Sequence, residues 1–412
     1  MRVLVTAYSC EPNMGSEPGT GWNWVKQIAS RHSCHLITRE NNVAAIEAEA
    51  RKANLTGLTV HGYDLPRWAR FWKRGQRGSS LYYYLWQLGL IRLAKKLDRQ
   101  HDFDVLHHVT YVANYLPSGL AFLAKPFVWG PVGQHPRIPR AFIRTDDLRL
   151  RLAEVAKVGV KWIFRYIDPL FQKTLQNADV ILSLSESFDQ GLDTDNANKV
   201  IPYPAVGVDE PKVSDTANDG DSTFDVLYSG RLVDLKGARL VLAAFAEFAK
   251  DAQQARLRFL GDGPLSEPLR DAAVQLGIAD HVQFNGQVPY EEALAAMQTT
   301  DVFLFPSFEG AGMVVIEAMA AQTPVLCLDF GGPGRMVGED RGVRVPVESS
   351  FEATAQALSR ALHLLATDET LRKRITDKAL LWVREQMTWD AKGQRIEGFY
   401  QRAIDHRKGR AA

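Results

Sequence analysis

The sequence predicts an α/β protein made of two doubly wound parallel-sheet domains facing a cleft. Three observations carry that expectation. At 412 residues the chain exceeds one ordinary hydrophobic core, and two domains of about 200 residues each are expected. Apolar runs of strand length alternate with helix-period segments along the chain, the pattern of parallel strands joined by right-handed crossovers. A unit of strand, glycine-bearing loop and helix also opens each half, first over residues 2–30 and again over 226–250.

Composition narrows the function classes. A hydrophobic fraction of 46% and a charged fraction of 24% are those of a globular protein. The net charge of +1 argues against a general nucleic-acid binder. Charge is uneven, with 26 Lys+Arg against 20 Asp+Glu over residues 1–210 and 23 against 28 over the remainder. Cys10, Cys34 and Cys327 are odd in number and unpatterned, which fits a reducing cytoplasm and offers no metal-ligand spacing. A strand starts at Arg2 with no signal peptide before it, and no apolar run reaches the length of a membrane span.

In the first domain, Arg2 to Ala7 reads as a strand, Cys10 to Gly21 as a loop of small residues and Trp22 to Ser30 as a helix. The loop lacks the GxGxxG spacing of dinucleotide sites. Strands are expected at His35–Thr38 and Leu58–Gly62, separated by a helix over Val43–Ala53. Residues 67–99 then mix Trp68, Phe71, Trp72, Tyr82, Tyr83, Tyr84 and Trp86 with nine Lys+Arg and one acid, Asp98. Two readings stay open there: a surface helix at an anionic membrane, rings at headgroup level, or a core helix with a solvated basic face. The basic and apolar stretch Arg137–Lys173 adds to the first. Phe103–His107 is a strand ending in His107-His108, and Phe127–His135 a strand entering a glycine loop. Asp179–Ser183 and Lys199–Pro202 complete this half.

Pro202–Thr223 is rich in Pro, Gly, Asp, Ser and Ala and reads as a linker. The boundaries expected are 1–203, a linker at 204–223, 224–388, and a final helix at 389–412. In the second domain Val226–Tyr228 is a buried strand and Gly237 onward an amphipathic helix, with Arg231 and Lys236 in the loop between. Cationic side chains at the carboxyl end of a parallel strand suit a pyrophosphate. Val302–Phe305 is a further strand, closed by Pro306 and Ser307, and Gly312–Ala321 a helix. Backbone N–H groups of Gly310, Ala311, Gly312 and Met313 lie at that helix start, where the dipole favours an anion. Glu309 and Glu317 frame them. Phe330–Gly334 reads as a turn, and helices are expected at about 350–366, 369–386 and 389–404.

Gly230-Arg231 with Lys236-Gly237, then Phe259–Pro264, Val282–Val288 and Glu309-x7-Glu317, resemble the donor site of retaining glycosyltransferases of family 4, which have the GT-B fold. The resemblance spans the chain and implies two Rossmann-like domains, the last helix crossing back to the first. It implies that Glu317 holds ribose hydroxyls and Glu309 the donor sugar. Backbone at Gly261 and from Gly286 to Val288 would meet the nucleotide, with Gly230, Arg231 and Lys236 on its diphosphate. On the acceptor side it implies Gly15, Glu17 and Gly19 in the first loop and a sugar-contacting histidine, either His107 or His108, with His135 a weaker candidate. Glu309, His108, Arg231 and Lys236 are the catalytic candidates. The implied partners are a nucleotide sugar and a glycan or lipid-linked acceptor, with no cofactor and no metal, in the cytoplasm or at the inner face of the plasma membrane. A sugar-nucleotide epimerase and a non-catalytic nucleotide-sugar-binding protein are the alternatives.

Overall fold

The computed structural model describes residues 1–73, 78–133, 136–142, 159–184, 188, 192–211 and 223–411. They fall into two units, one within Met1–Gln134, Asp146–Ala205 and Trp389–Ala412, the other within His135–Thr145 and Val206–Thr388.

The first unit holds a seven-stranded sheet, all parallel, in the order β3-β2-β1-β4-β5-β6-β7. Its strands are β1 (Arg2–Ala7), β2 (Ser33–Thr38), β3 (Leu58–Gly62), β4 (Val105–Thr110), β5 (Phe127–Val132), β6 (Val180–Ser183) and β7 (Val200–Pro202). The second holds a six-stranded parallel sheet, order β10-β9-β8-β11-β12-β13. Those strands are β8 (Phe224–Ser229), β9 (Ala255–Leu260), β10 (Val282–Gly286), β11 (Val302–Phe305), β12 (Val325–Leu328) and β13 (Val343–Val345). Central strands β1, β4, β8 and β11 are almost wholly buried because helices cover both faces, and all but β4 are largely apolar. In each sheet the chain reverses direction between two neighbours, β1 with β4 and β8 with β11. Loops leaving those two strands part in opposite directions, which opens a crevice at their carboxyl ends.

Several elements differ from expectation. The first helix runs Ser16–Ala29 and so starts six residues before Trp22. Pro18 sits in its first turn, where no N–H is missed. A Cβ on Gly19 would lie 1.8 Å from the Met14 carbonyl oxygen, and one on Gly21 would lie 2.1 Å from that of Ser9. These glycines let the preceding loop fold back onto its own helix. β4 continues past His107 to Thr110, since the β-branched Val109 and Thr110 extend the strand.

The helix Ser79–His101 settles which rings of 67–99 face inward. Tyr82, Tyr83, Trp86, Leu90, Ala94 and Leu97 form one buried stripe at helical spacing, packed on the first unit's core. Arg92, Lys95, Lys96 and Arg99 are its solvated face. The membrane reading of this helix is corrected accordingly; Trp68 and Phe71, before it, remain 78% and 79% exposed. Of Arg137–Lys173, residues 143–158 lie outside the described residues, and so does the glycine-loop residue His135. Among the described residues no helix is long and apolar enough to cross a membrane.

The helix Trp389–Ala411 packs into the first unit, burying Ile396, Tyr400 and Ala403 completely. Asp179, at the start of β6, accepts from His406 Nδ1 at 2.8 Å and from Arg407 Nη2 at 2.7 Å. The preceding helices are Phe351–Thr367 and Glu369–Trp382, the latter ending in a π-turn over Val383–Met387.

Candidate active site

In the second unit, the loop after β8 is shaped by two glycines. Gly230 has φ +153 and Gly237 φ +73, both in the region that side chains rarely adopt. A Cβ on Gly237 would stand 2.1 Å from the carbonyl oxygen of Pro306. Only glycine lets the loop after β8 press onto the loop after β11. That contact brings Lys236 to Glu309. The Lys236 ammonium pairs with Glu309 Oε2 and lies 5.3 Å from the ring centroid of Phe305.

Glu309 is 5% exposed, and its Oε1 is buried with no hydrogen-bond partner among the described residues. A buried carboxylate oxygen left open is costly unless something comes to satisfy it. The helix Met313–Ala320 starts three residues beyond Gly310, with Gly312 at φ +124 as its N-cap. Its first-turn N–H groups have no acceptors within the helix. Glu317 lies one turn inside, nearly buried, and Tyr290 Oη donates to its Oε1 at 3.0 Å. Burial pushes the Glu317 carboxyl up from its ordinary value, while the Tyr290 bond and the Lys236 charge pull it back. One ammonium therefore bonds the first glutamate and biases the second.

The sequence reading missed the element that holds this loop. Phe330–Gly334 was expected as a turn, but Gly331–Val337 is a helix. Gly332 N–H donates to the Glu309 carbonyl at 2.9 Å, and a Cβ there would fall 1.8 Å from the Ala311 carbonyl oxygen. Arg335 Nη2 donates to the Gly310 carbonyl at 3.3 Å. The paired glycines just before Pro333 were the available signal, Pro being favoured early in a helix. Tyr290 was missed too, since nothing in sequence ties it to Glu317.

The other candidates are placed as follows. Arg231 is exposed, and its carbonyl accepts from Tyr228 Oη at 3.0 Å. A Cβ on Gly261 would meet the Gly230 carbonyl at 2.1 Å, and its N–H donates to Gly286 O at 2.7 Å. Gly261 thus serves the packing of β8, β9 and β10 ends on one another, whereas Gly286 has open space around it. Val288 is half-buried against the core.

In the first unit the candidates are more enclosed. Glu17 accepts from the Val112 backbone N–H; burial pushes its carboxyl up and that bond opposes it. Gly15 is exposed with open space around it, but the room at Gly19 is taken by Met14. His107 and His108, on opposite faces of β4, are both buried. His107 Nδ1 meets Tyr400 Oη at 2.9 Å and Nε2 the Gly130 carbonyl at 2.8 Å. His108 Nδ1 meets Ser118 Oγ at 3.1 Å, and Nε2 the Tyr83 hydroxyl at 3.3 Å. Burial lowers these imidazoles to about 4 and about 3, so both are neutral near pH 7. Among the described residues no group of three or more His, Cys, Asp or Glu is arranged to hold a metal ion.

The chain is similar to known proteins in sequence and in fold. A GDP-mannose-dependent α-(1-6)-phosphatidylinositol monomannoside mannosyltransferase of Mycobacterium tuberculosis is 30% identical over 182 residues, 42% of this chain and 46% of that one. A 2-deoxystreptamine glucosyltransferase of Streptomyces kanamyceticus is 35% identical over 136 residues, 33% of this chain and 35% of that one. The chain spans about half or less of the length of the curated relatives it matches. Likeness of fold extends further. Sucrose-phosphate synthase of Thermosynechococcus elongatus superimposes with a TM-score of 0.64 over 98% of this chain and 99% of that one, at 17% identity. Anabaena HepE, solved with UDP and glucose, gives 0.59 over 97% and 99%, at 16% identity. The two parallel-sheet units and the returning terminal helix are the GT-B fold. The model of glycosyl transferases group 1 matches residues 211–382, a stretch that includes Lys236, Glu309 and Glu317.

Proposed function

We propose that this chain is a retaining glycosyltransferase of the hexosyltransferase type. It moves a sugar from a nucleotide-diphosphate donor to an acceptor hydroxyl in the synthesis of a cell-envelope glycan or glycolipid. The observation that carries the reading is the placement of Lys236 against Glu309, beside a helix N-terminus and within the field of Glu317. Lys236, Arg231 and the N–H groups of 311–313 supply positive charge to the diphosphate, most valuable as it departs. No divalent ion takes part in this scheme. Glu317 takes the ribose hydroxyls. Glu309, with its open Oε1, faces the sugar and stabilises positive charge on it.

Retention follows from displacement on one face. The bond from the anomeric carbon to the diphosphate oxygen breaks as the bond to the acceptor oxygen forms on the same side. The acceptor's proton passes to the departing phosphate oxygen. The first unit presents the acceptor, with Gly15 and Glu17 at its loop. Cytoplasmic residence with peripheral attachment to an anionic membrane belongs to the same proposal. Exposed Trp68 and Phe71, beside Arg67, support the attachment, and sedimentation of Trp68→Ala and Phe71→Ala variants with phosphatidylglycerol vesicles checks it.

A thermal-shift screen over UDP-, GDP- and ADP-sugars tests the donor assignment. One nucleotide series should raise the melting temperature. Transfer from that donor, with the product's anomeric configuration read by proton NMR, tests retention. No stabilisation by any nucleotide diphosphate, or an inverted product, would overturn the proposal.

A further inference from the structure

The first unit gathers charges that this scheme leaves unused. β3, β2 and β1 are parallel neighbours, so their carboxyl ends deliver residues to one edge of the sheet. Tyr8 follows β1, Arg39 follows β2, and Asp64 lies two residues past β3. Asp64 accepts from Tyr82 Oη at 2.7 Å. Arg39 Nε stands 3.6 Å from Asp64 Oδ1, and Arg70 Nη1 stands 3.3 Å from Oδ2. The Arg39 guanidinium lies over the rings of Tyr8 and Tyr82, at 5.3 and 5.9 Å from their centroids, and Lys73 Nζ lies 4.7 Å from that of Tyr82.

Three cations therefore crowd one carboxylate. Arg39 Nε is buried without a hydrogen-bond partner among the described residues, its 3.6 Å approach to Asp64 being too long for one. Burial lowers the Lys73 ammonium from its ordinary value, and the charges of Arg39 and Arg70 lower it further against Asp64. The Arg39 and Arg70 side chains are 27% and 34% exposed, so part of each is open to solvent.

We infer that Arg39, Arg70 and Lys73 form a site for a phosphate group carried by the acceptor, an assignment that rests on reading the first unit as the acceptor unit. The charges match. Among the described residues, three cations against Asp64 leave an excess of positive charge, and a phosphate monoester carries about −1.5 to −2 at neutral pH. Guanidinium forks and an ammonium are the donors that phosphate oxygens accept best. The phosphate belongs either to a soluble sugar phosphate or to a lipid headgroup.

Titration calorimetry on the full chain tests this with glucose, glucose 6-phosphate and inorganic phosphate, and flotation tests vesicles of phosphatidylglycerol in phosphatidylcholine. A phosphate-bearing probe should bind where glucose does not. The double substitution Arg70→Gln with Lys73→Gln, in a half-exposed turn, should weaken it about tenfold or more. Arg39→Gln should act in the same direction. Nucleotide-diphosphate binding should stay unchanged in these variants. Loss confined to glucose 6-phosphate identifies a soluble acceptor, and loss confined to vesicles a lipid-borne one. Equal affinity in parent and variants, or no phosphate-dependent binding by the parent, overturns the site. Absence of nucleotide binding in every form would sink the donor assignment instead, with the phosphate comparison still readable.

Discussion

The two sheets reverse at equivalent places, yet the loops around the two crevices spend their polar groups differently. In the first unit the acid at the crevice, Glu17, is tied to the Val112 amide, and the imidazoles of β4 are consumed by Tyr400, Gly130, Ser118 and Tyr83. In the second unit Glu309 keeps one buried oxygen open, and a single ammonium serves two carboxylates. Both use glycines to bring chain against chain, Gly19 to Met14 in one and Gly237 to Pro306 in the other. Close approach of backbones is therefore common to the architecture. At the donor-side loop the open atom is a carboxylate oxygen, whereas the acid and the two imidazoles at the first crevice already have partners.

Acid should separate the units most strongly. His107 and His108 have folded values below the ordinary 6.5, so the native state resists protons that the unfolded chain accepts. Their contribution is intact above pH 6.5 and is lost as pH falls through 6.5 toward 4, on the order of 2 kcal/mol each by pH 5. Of the nine tryptophans only Trp382 lies in the second unit, so tryptophan fluorescence follows the first. Denaturant midpoints read by fluorescence should drop steeply between pH 7.5 and 5, and a flat profile would contradict the buried, neutral histidines. Next in size, Glu309→Ala should lower turnover about 100-fold, roughly 2.7 kcal/mol of barrier, with little change in melting temperature. Steady-state kinetics showing parental turnover would place the open oxygen outside the chemistry. Smaller still, Gly332→Ala should cost about 1–3 kcal/mol in urea unfolding, because the added carbon meets the Ala311 carbonyl. Gly15→Ala, with open space and φ −75, should stay within about 0.5 kcal/mol.

Much of this was legible in the sequence, for definable reasons. Val3–Val5, Val226–Tyr228 and Val302–Phe305 read as strands because parallel strands buried on both faces leave unbroken apolar runs. Lys236, Glu309 and Glu317 could be singled out because charges beside small-residue loops at strand ends are costly without a use. Boundaries were less legible. The Ser16 helix start was hidden by glycines whose purpose is a tertiary contact with Met14 and Ser9. The rings of 82–86 stayed open between membrane interface and core because sequence does not say which face of a helix meets a core. Tyr290 and Gly332 reach the site through spatial neighbours alone, and no local pattern reports that.

The terminal helix carries a consequence for the order in which the chain matures. Tyr400 fills the space beside His107 in the middle of the first sheet, and Asp179 pairs with His406 and Arg407. On a ribosome these residues emerge after the whole second unit. The first unit is therefore completed only after the second has been made, with β4 and β6 short of their permanent neighbours until then.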